Sequence, residues 1–449
     1  MRHKLATFSK SPVVLWTLLA ALAAATFADQ DPLRRRAAWG AALGEPSSTR
    51  PGAEVLALRP GGPADKAGLQ KGDLILSIDG KPLTDGLTYG RINAALRGGD
   101  TPNLEVKRGN ETTRRQITLD SYPKEQLDGV EETYGAVTSE KGYRLRTITT
   151  RPQGATGKLP AVLFVGWLSC DSIEYPIKDA ADGWGRVLHR IAETSGMVLM
   201  RVDRPGVGDS EGPACADATF DDDPAAHRAA LHALRQDPGV DPNAVFLFGG
   251  SMGGAMAPLL AAETPVRGLV IWGAWSKTWL EHMIELERRR LTLSGQAPGD
   301  VNRQMGGYVE LHSLILDRKM TPAEAARQRP DLAKLWYDAP GHLYGRPLAF
   351  FQGAQAANIA AAWEKIDAPV LVQWGEYDWI MSRDDHQLIA DIVNQKHPGR
   401  ATFQVRPKTD HHFSTFDSLQ ASFSGDGGKP DATVADPMIQ FMKGVLQAK

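Results

Sequence analysis

The sequence predicts an α/β fold, a mostly parallel sheet with helices on both faces, preceded by a smaller β-rich unit. Three observations carry that expectation. Beyond about residue 131, short and nearly continuous apolar runs alternate with helical stretches, as expected of strands buried on both faces of a parallel sheet. One of these runs, residues 245–248, leads directly into Gly249-Gly250-Ser251-Met252-Gly253 and then into a helix rich in Ala and Leu. Before residue 120, in contrast, short alternating runs are separated by Gly/Pro turns. A chain of 449 residues is too long for one ordinary core, so two folded units plus a leader is the natural division.

The leader comes first. Arg2, His3, Lys4 and Lys10 precede an apolar run over residues 13–25, and Thr26-Phe27-Ala28 ends in small residues at the −3 and −1 positions of a cleavage site. This reads as a signal peptide over residues 1–28, implying a periplasmic or secreted protein. The run is shorter than the roughly 20 residues of a membrane-spanning helix, so a membrane partner is expected only if the leader stays uncleaved. A net charge of −2, from 51 basic and 53 acidic residues, gives no reason to expect a nucleic-acid partner.

The β-rich unit is expected over residues 34–120. Residues 52–58 alternate as a half-buried strand does, then come Gly61-Gly62-Pro63 and a one-turn helical signal. Leu74-Ile75-Leu76 begins a second strand that Asp79-Gly80 closes, a strong turn dipeptide. Leu87, Ile92 and Leu96 are spaced for a helix, and strands follow at residues 103–107 and 113–119. The stretch from Pro63 to Leu83 and its flanks resembles a bacterial-type PDZ domain. The resemblance puts Trp39-Gly40-Ala41-Ala42-Leu43 in the place of the carboxylate-binding loop, whose N–H groups receive a peptide C-terminus. Ala42 stands where a second glycine is common, and a packing module that binds no peptide is the other reading.

Residues 121–130 read as a polar linker, and the α/β unit as residues 131–449. Its strands are expected at 161–165, 197–202, 244–248, 269–272, 370–374 and 402–406, with an antiparallel edge from 134–149. Helices are expected at 185–194, 224–235, 252–263 and 384–394. From about 275 to 362 no strand is evident, which predicts a helical cap inserted between the sixth and seventh strands. Thr321-Pro322-Ala323-Glu324 is a capping box within it.

Ser251 is the expected nucleophile. A serine on a tight strand-to-helix turn needs small neighbours, and its hydroxyl is lifted from the sheet to a helix N-terminus, where developing negative charge is favoured. A hydroxyl is a poor nucleophile until a base takes its proton, and the base needs a group to hold its tautomer. Asp378 follows the strand at 370–374, and His411 follows the strand at 402–406. Met252 contributes the N–H after the nucleophile, and Trp167, with Leu168 second, is the expected other oxyanion donor, in the loop after the first parallel strand. The Asp203–Gly212 turn reads as support for the floor of the site, and Asp221-Asp222-Asp223-Pro224 as an acidic helix cap.

Together these residues resemble the α/β-hydrolase fold, in its esterase and acyl-peptidase branch. The resemblance favours Asp378 over Glu376 as acid, and His411 over the alternative base His412. It implies acyl transfer through an acyl-enzyme, with no metal or organic cofactor. A small-molecule ester is the expected substrate; a peptide cut by a serine peptidase and an inert binding protein are the alternatives. In this fold Cys170 and Cys215 both emerge at the carboxyl edge of the sheet, so a disulfide joining them is expected, two separate thiols being the other reading. Trp275, Trp279, Met283 and Tyr308 of the cap either line an acyl pocket or form the cap's own core.

Overall fold

The computed structural model describes residues 33–177 and 181–448, so the expected leader lies outside the described residues. Among the described residues no helix is long and apolar enough to cross a membrane.

The β-rich unit is built from β1 (Ala41–Leu43), β2 (Ala53–Leu58), α1 (Pro63–Lys66), β3 (Leu74–Ile78), α2 (Gly86–Ala95), β4 (Asn103–Arg108) and β5 (Glu111–Gln116). The five strands pair antiparallel in chain order, which leaves β1 as an edge strand. Leu104 and Val106 turn inward while Asn103, Glu105 and Lys107 are exposed, the period of two that a half-buried sheet imposes. With Val55, Ile75 and Ile78 they form a small separate core. Helix α2 starts at Asp85, whose carboxylate accepts the Thr88 N–H at 2.9 Å.

The α/β unit opens with a hairpin, β6 (Val130–Thr138) and β7 (Arg144–Pro152), where the sequence suggested a single alternating stretch. The turn at Gly142 divides it, and the Ser139 N–H closes on the Tyr143 carbonyl. The remaining strands of the large sheet are β8 (Leu159–Val165), β9 (Val198–Val202), β10 (Val240–Gly250), β11 (Gly268–Trp272), β12 (Val370–Gly375) and β13 (Ala401–Arg406); a two-residue pair, His342–Leu343 with Arg346–Pro347, lies inside the cap where the sequence showed no strand. The sheet order is β13-β12-β11-β10-β8-β9-β7-β6, parallel from β13 to β9 and antiparallel beyond.

The helices are α3 (Gly183–Thr194), α4 (Asp222–Gln236), α5 (Met252–Glu263), the cap helices α6 (Trp279–Leu293), α7 (Pro298–Leu316), α8 (Pro322–Gln328), α9 (Leu348–Ala356) and α10 (Ile359–Trp363), then α11 (Arg383–Lys396) and α12 (Ala435–Gln447), with a short helix at Leu419–Ser424 between these last two. Alternate strand residues serve opposite faces. Leu163, Leu247 and Ile271 pack with α4, α5 and α11, whereas Val162, Phe246 and Val270 pack with α3 and α12. Burying each such side chain is worth roughly 1.5–3 kcal/mol, which is what holds the helices to the sheet. The cap shares the first of these cores through Met283, Met305 and Leu311. Its Thr321–Glu324 box forms as the sequence suggests, each side chain bonding the other's backbone N–H.

The two units are stitched together. The Leu33 carbonyl accepts from Arg146 Nη2 at 2.9 Å, and Arg35 reaches Asp209 at 2.5 Å and Glu174 at 2.6 Å. Cys170 and Cys215 are joined by a disulfide.

Candidate active site

The apolar run of β10 carries the chain to Gly250, and α5 begins at Met252, so Ser251 sits on the turn between them. Its backbone is at φ 56°, ψ −123°, a strained region for a residue with a side chain. The Ser251 N–H donates to the Trp272 carbonyl at 2.9 Å, which ties the turn to β11. Gly253 lets α5 lie against the end of β8, because a Cβ there would overlap the carbonyl oxygens of Val165 and Gly166.

Asp378 and His411 come from the loops after β12 and β13. His411 Nε2 lies 3.0 Å from Ser251 Oγ, and Nδ1 lies 2.8 Å from Asp378 Oδ2. Asp378 Oδ1 accepts the N–H groups of Ile380 and Met381 at 2.9 and 2.8 Å. Burial pushes the Asp378 carboxyl up, but the His411 imidazole and these donors outweigh it and hold the group below the usual carboxylate range. With Asp378 ionised, Nδ1 of His411 carries the proton and Nε2 is free to accept one from the serine. The ring is fixed further by Trp184, edge-on at 6.0 Å between centroids, and its backbone carbonyl accepts from Trp272 Nε1 at 3.0 Å.

The neighbouring candidates make other bonds, although His412 borders the cavity above Ser251. The His412 side chain is more than half exposed and its Nδ1 faces Asp410 Oδ2 at 3.6 Å. Glu376 accepts the Lys408 N–H at 2.8 Å, away from both histidines.

Ser251, His411, Met252 and Trp167 line a cavity of about 790 Å³ between the sheet edge and the cap. From the cap, Trp279, His282, Leu286, Arg290, Tyr337 and Tyr344 complete it. Of the four cap residues singled out by sequence, only Trp279 faces this space; Trp275, Met283 and Tyr308 are packed into the shared core.

The segment after β8 is held from behind by buried charge. Arg204 donates to the carbonyls of Trp167 and Ser169, and Arg346 Nε donates to that of Leu168 at 3.2 Å. Both guanidiniums meet Asp223, which Arg346 hydrogen-bonds directly and Arg204 approaches to 3.9 Å. The Gly166 N–H donates to His227 Nε2 at 3.2 Å, and His227 Nδ1 donates to the Asp223 carbonyl at 2.7 Å. Burial drives His227 down to about 4, so the ring is neutral and able to accept. Asp203 accepts from Ser172 Oγ at 2.8 Å and from the Ile173 N–H at 3.0 Å.

This frame is what sequence reasoning missed. The Asp203–Gly212 turn does more than floor the site, since it grips the loop opposite the nucleophile. The acidic cap reading of residues 221–223 is also corrected. Asp221 makes no side-chain cap, Asp222 accepts the Thr219 N–H at 2.7 Å and pairs with Lys141 at 2.5 Å, and Asp223 serves Arg346. Arg346 lies 123 residues from its partner, so no local pattern marks it.

In the smaller unit, Trp39 is buried and its Nε1 donates to Asn93 Oδ1 at 2.9 Å. Gly40 is left-handed at φ +66°, where a Cβ would press on Pro63, and its carbonyl accepts the Arg59 N–H at 2.8 Å. Ala41, Ala42 and Leu43 form the edge strand β1. Trp39, Gly40 and Ala41 line a second cleft of about 660 Å³, whose opposite wall belongs to the α/β unit.

Comparison with known proteins agrees with this architecture. Residues 54–108 match the PDZ domain model, and residues 163–421 match that of the alpha/beta hydrolase family. A probable periplasmic serine endoprotease, DegP-like, from Pseudomonas fluorescens is 38% identical over 77 residues, 17% of this chain and 16% of that protein. The serine endoprotease DegS of Escherichia coli is 36% identical over 72 residues, 16% of this chain and 20% of its own length. The chain therefore spans about a fifth or less of these curated relatives. Among solved structures, a Pyrococcus furiosus esterase aligns at TM-score 0.43 and 12% identity, covering 72% of this chain and 96% of its own. Carboxyl esterase 2 from the fungus Tuber melanosporum aligns at TM-score 0.43 and 13% identity, covering 72% and 90%. With more than half of its length matched by the family model, this chain belongs to the alpha/beta hydrolase family and carries a PDZ domain on the N-terminal side of its hydrolase domain.

Proposed function

We propose that the chain hydrolyses carboxylic esters through Ser251, His411 and Asp378, by way of an acyl-enzyme. The observation that carries this reading is the continuous hydrogen-bonded row from Asp378 through His411 to Ser251 at the floor of a largely apolar cavity. Ser251 Oγ attacks the ester carbonyl as its proton passes to His411 Nε2, and Asp378 stabilises the imidazolium. That proton then leaves with the alcohol as the C–O bond breaks. Water attacks the acyl-enzyme with His411 again as base, which frees the acid and restores the serine. The N–H groups of Met252 and Trp167 are proposed to receive the oxyanion, each worth about 3 kcal/mol in the transition state.

The proposed organisation is a leader at 1–28, the PDZ unit at 34–120, a linker at 121–130, and the hydrolase at 131–449 with its cap at about 275–362. A periplasmic or secreted location is proposed from the leader. The naming of the DegP-like relatives as periplasmic favours it over the PDZ region alone.

A fluorophosphonate probe should label the protein at Ser251 and fail on Ser251→Ala. Short acyl esters should be turned over much faster than peptide anilides. Labelling with the opposite preference would make the chain a peptidase, and no labelling at all would make it an inert binding protein.

A further inference from the structure

The cavity above Ser251 is walled by rings. A third of the residues lining it are tryptophan or tyrosine, although only 7% of the chain is aromatic. Trp279, His282, Leu286 and Arg290 line it from one face of α6, at the three- and four-residue spacing that stacks side chains along a helix. Trp167 and Trp184 line it from the sheet side, with ring centroids 5.4 Å apart. Rings attract a further ring beyond the area they bury, which an alkyl chain does not match.

On the cap side a row of hydroxyls runs in one direction. Glu287 is fully buried and accepts from Arg290 Nε at 2.8 Å and from Tyr337 Oη at 2.8 Å. Burial pushes its carboxyl up, but the neighbouring His312, Tyr337 and Arg290 outweigh that and hold it below the usual carboxylate range. Tyr337 has one proton and gives it to Glu287, so across 3.1 Å to Tyr344 Oη it can only accept. Burial pushes the Tyr344 phenol up to about 12, so Tyr344 keeps its proton and donates it to Tyr337. Tyr344, which lines the cavity, thus ends the row as an acceptor. It is set there against its backbone preference. At φ 50° it is left-handed, an outlier for a bulky residue, on the turn between His342–Leu343 and Arg346–Pro347, and its N–H donates to Asp338 Oδ2 at 2.5 Å. Glu287 and Arg290 cancel in charge, so the row suits a neutral donor rather than a cation.

We infer that the acyl group taken at Ser251 is a hydroxylated aromatic one, its ring held by the tryptophans and its hydroxyl donating to Tyr344 Oη as the last member of the row. This rests on the proposed role of Ser251. Tyr337 and Tyr344 then determine specificity, because a methoxy group or a plain alkyl chain in the same place brings no proton for the Tyr344 oxygen.

The test uses the full chain and the methyl esters of para-hydroxybenzoic, para-hydroxyphenylacetic and para-hydroxyphenylpropanoic acids, each beside its para-methoxy analogue. Methyl hexanoate and acetylcholine are the aliphatic and cationic comparisons, since aromatic walls also attract cations. With kcat/KM divided by each ester's rate of hydroxide hydrolysis, at least one hydroxyaryl ester should exceed its methoxy analogue, hexanoate and acetylcholine by about tenfold. Tyr344→Phe should bring the hydroxy-to-methoxy ratio near one. Tyr337→Phe frees the Tyr344 proton to face the cavity, so kcat/KM for the methoxy ester should rise, which misfolding would not produce. A wild-type ratio near one at all three spacer lengths, a ratio that Tyr344→Phe leaves unchanged, or a preference for hexanoate or acetylcholine over every hydroxyaryl ester overturns the inference. If no ester is turned over, that failure belongs to the proposed function. Calorimetric binding of the corresponding neutral hydroxyaryl and methoxyaryl amides to the Ser251→Ala chain then reads the same discrimination without the reaction.

Discussion

Lowering the pH should weaken the fold through His227, and the size of the effect follows from its surroundings. The ring is buried between Gly166 and Asp223, accepting at Nε2 and donating at Nδ1, so a second proton has no acceptor to face. Its folded value, about 4 against an ordinary 6.5, is depressed by burial, which means the unfolded chain takes up the proton first. The stabilisation is complete above 6.5 and is lost as the pH falls from 6.5 toward 4. At 1.36 kcal/mol per unit, the loss amounts to about 2 kcal/mol near pH 5 and about 3 kcal/mol near pH 4. Urea unfolding of the wild type and of His227→Gln at pH 7.5 and 5 isolates this share, because glutamine can still accept from the Gly166 N–H but does not titrate. The wild type should lose about 2 kcal/mol more than the variant between the two conditions. His282 is also depressed to about 4 by burial and adds a drop of the same sign that cancels in the comparison. Stability is the readout because His411 must itself be neutral to act as base. Parallel pH profiles for the two proteins would refute the account of a neutral histidine accepting from the loop.

Asp378→Asn should lower kcat on a short ester by about 10⁴-fold, since the amide favours the wrong imidazole tautomer; a loss under tenfold would remove Asp378 from the proposed triad. Arg346→Met takes from buried Asp223 its direct hydrogen-bond partner, leaving only Arg204 at 3.9 Å, and should cost about 3 kcal/mol in a denaturant titration; a loss under about 1 kcal/mol would show that Arg204 alone carries the pair. Replacing Cys170 and Cys215 by serine opens a loop with a sequence separation of 45 and should cost up to about 4 kcal/mol, read as a lower thermal midpoint that reductant no longer changes. Leu286→Trp narrows the cavity from the cap side and should depress kcat/KM for long acyl esters at least tenfold more than for acetyl esters. An unchanged chain-length preference would show that acyl groups bind elsewhere.

The strands, most of the helices and the row from Asp378 to Ser251 were legible because each is written locally. An apolar run marks β8 or β10, the Gly249–Gly253 turn marks the change from strand to helix, and Asp378 and His411 follow recognisable strands. Helix α12 was missed, although Met438, Ile439 and Met442 repeat at helical spacing. No strand follows α12, so the alternation used to find the other helices gave no frame for it.

What supports the site was illegible for a different reason. Arg204, Arg346, Asp223 and His227 are of residue types mostly found at protein surfaces, yet all four are buried. Their burial is tolerable only because each finds partners supplied by distant segments, and those partners exist only once α4 and the cap have closed around the loop after β8. A charge whose partner lies 123 residues away leaves no period and no motif. The same logic explains why the Asp203–Gly212 turn was undervalued. Its glycines suggest a tight turn, which is correct. The tightness lets Asp203, Arg204 and Asp209 leave one short stretch toward three neighbours: the Ser172 segment, the carbonyls behind Trp167, and the arginines entering the PDZ domain. A stretch that reads as backbone geometry is thus the place where the two domains and the candidate oxyanion loop meet.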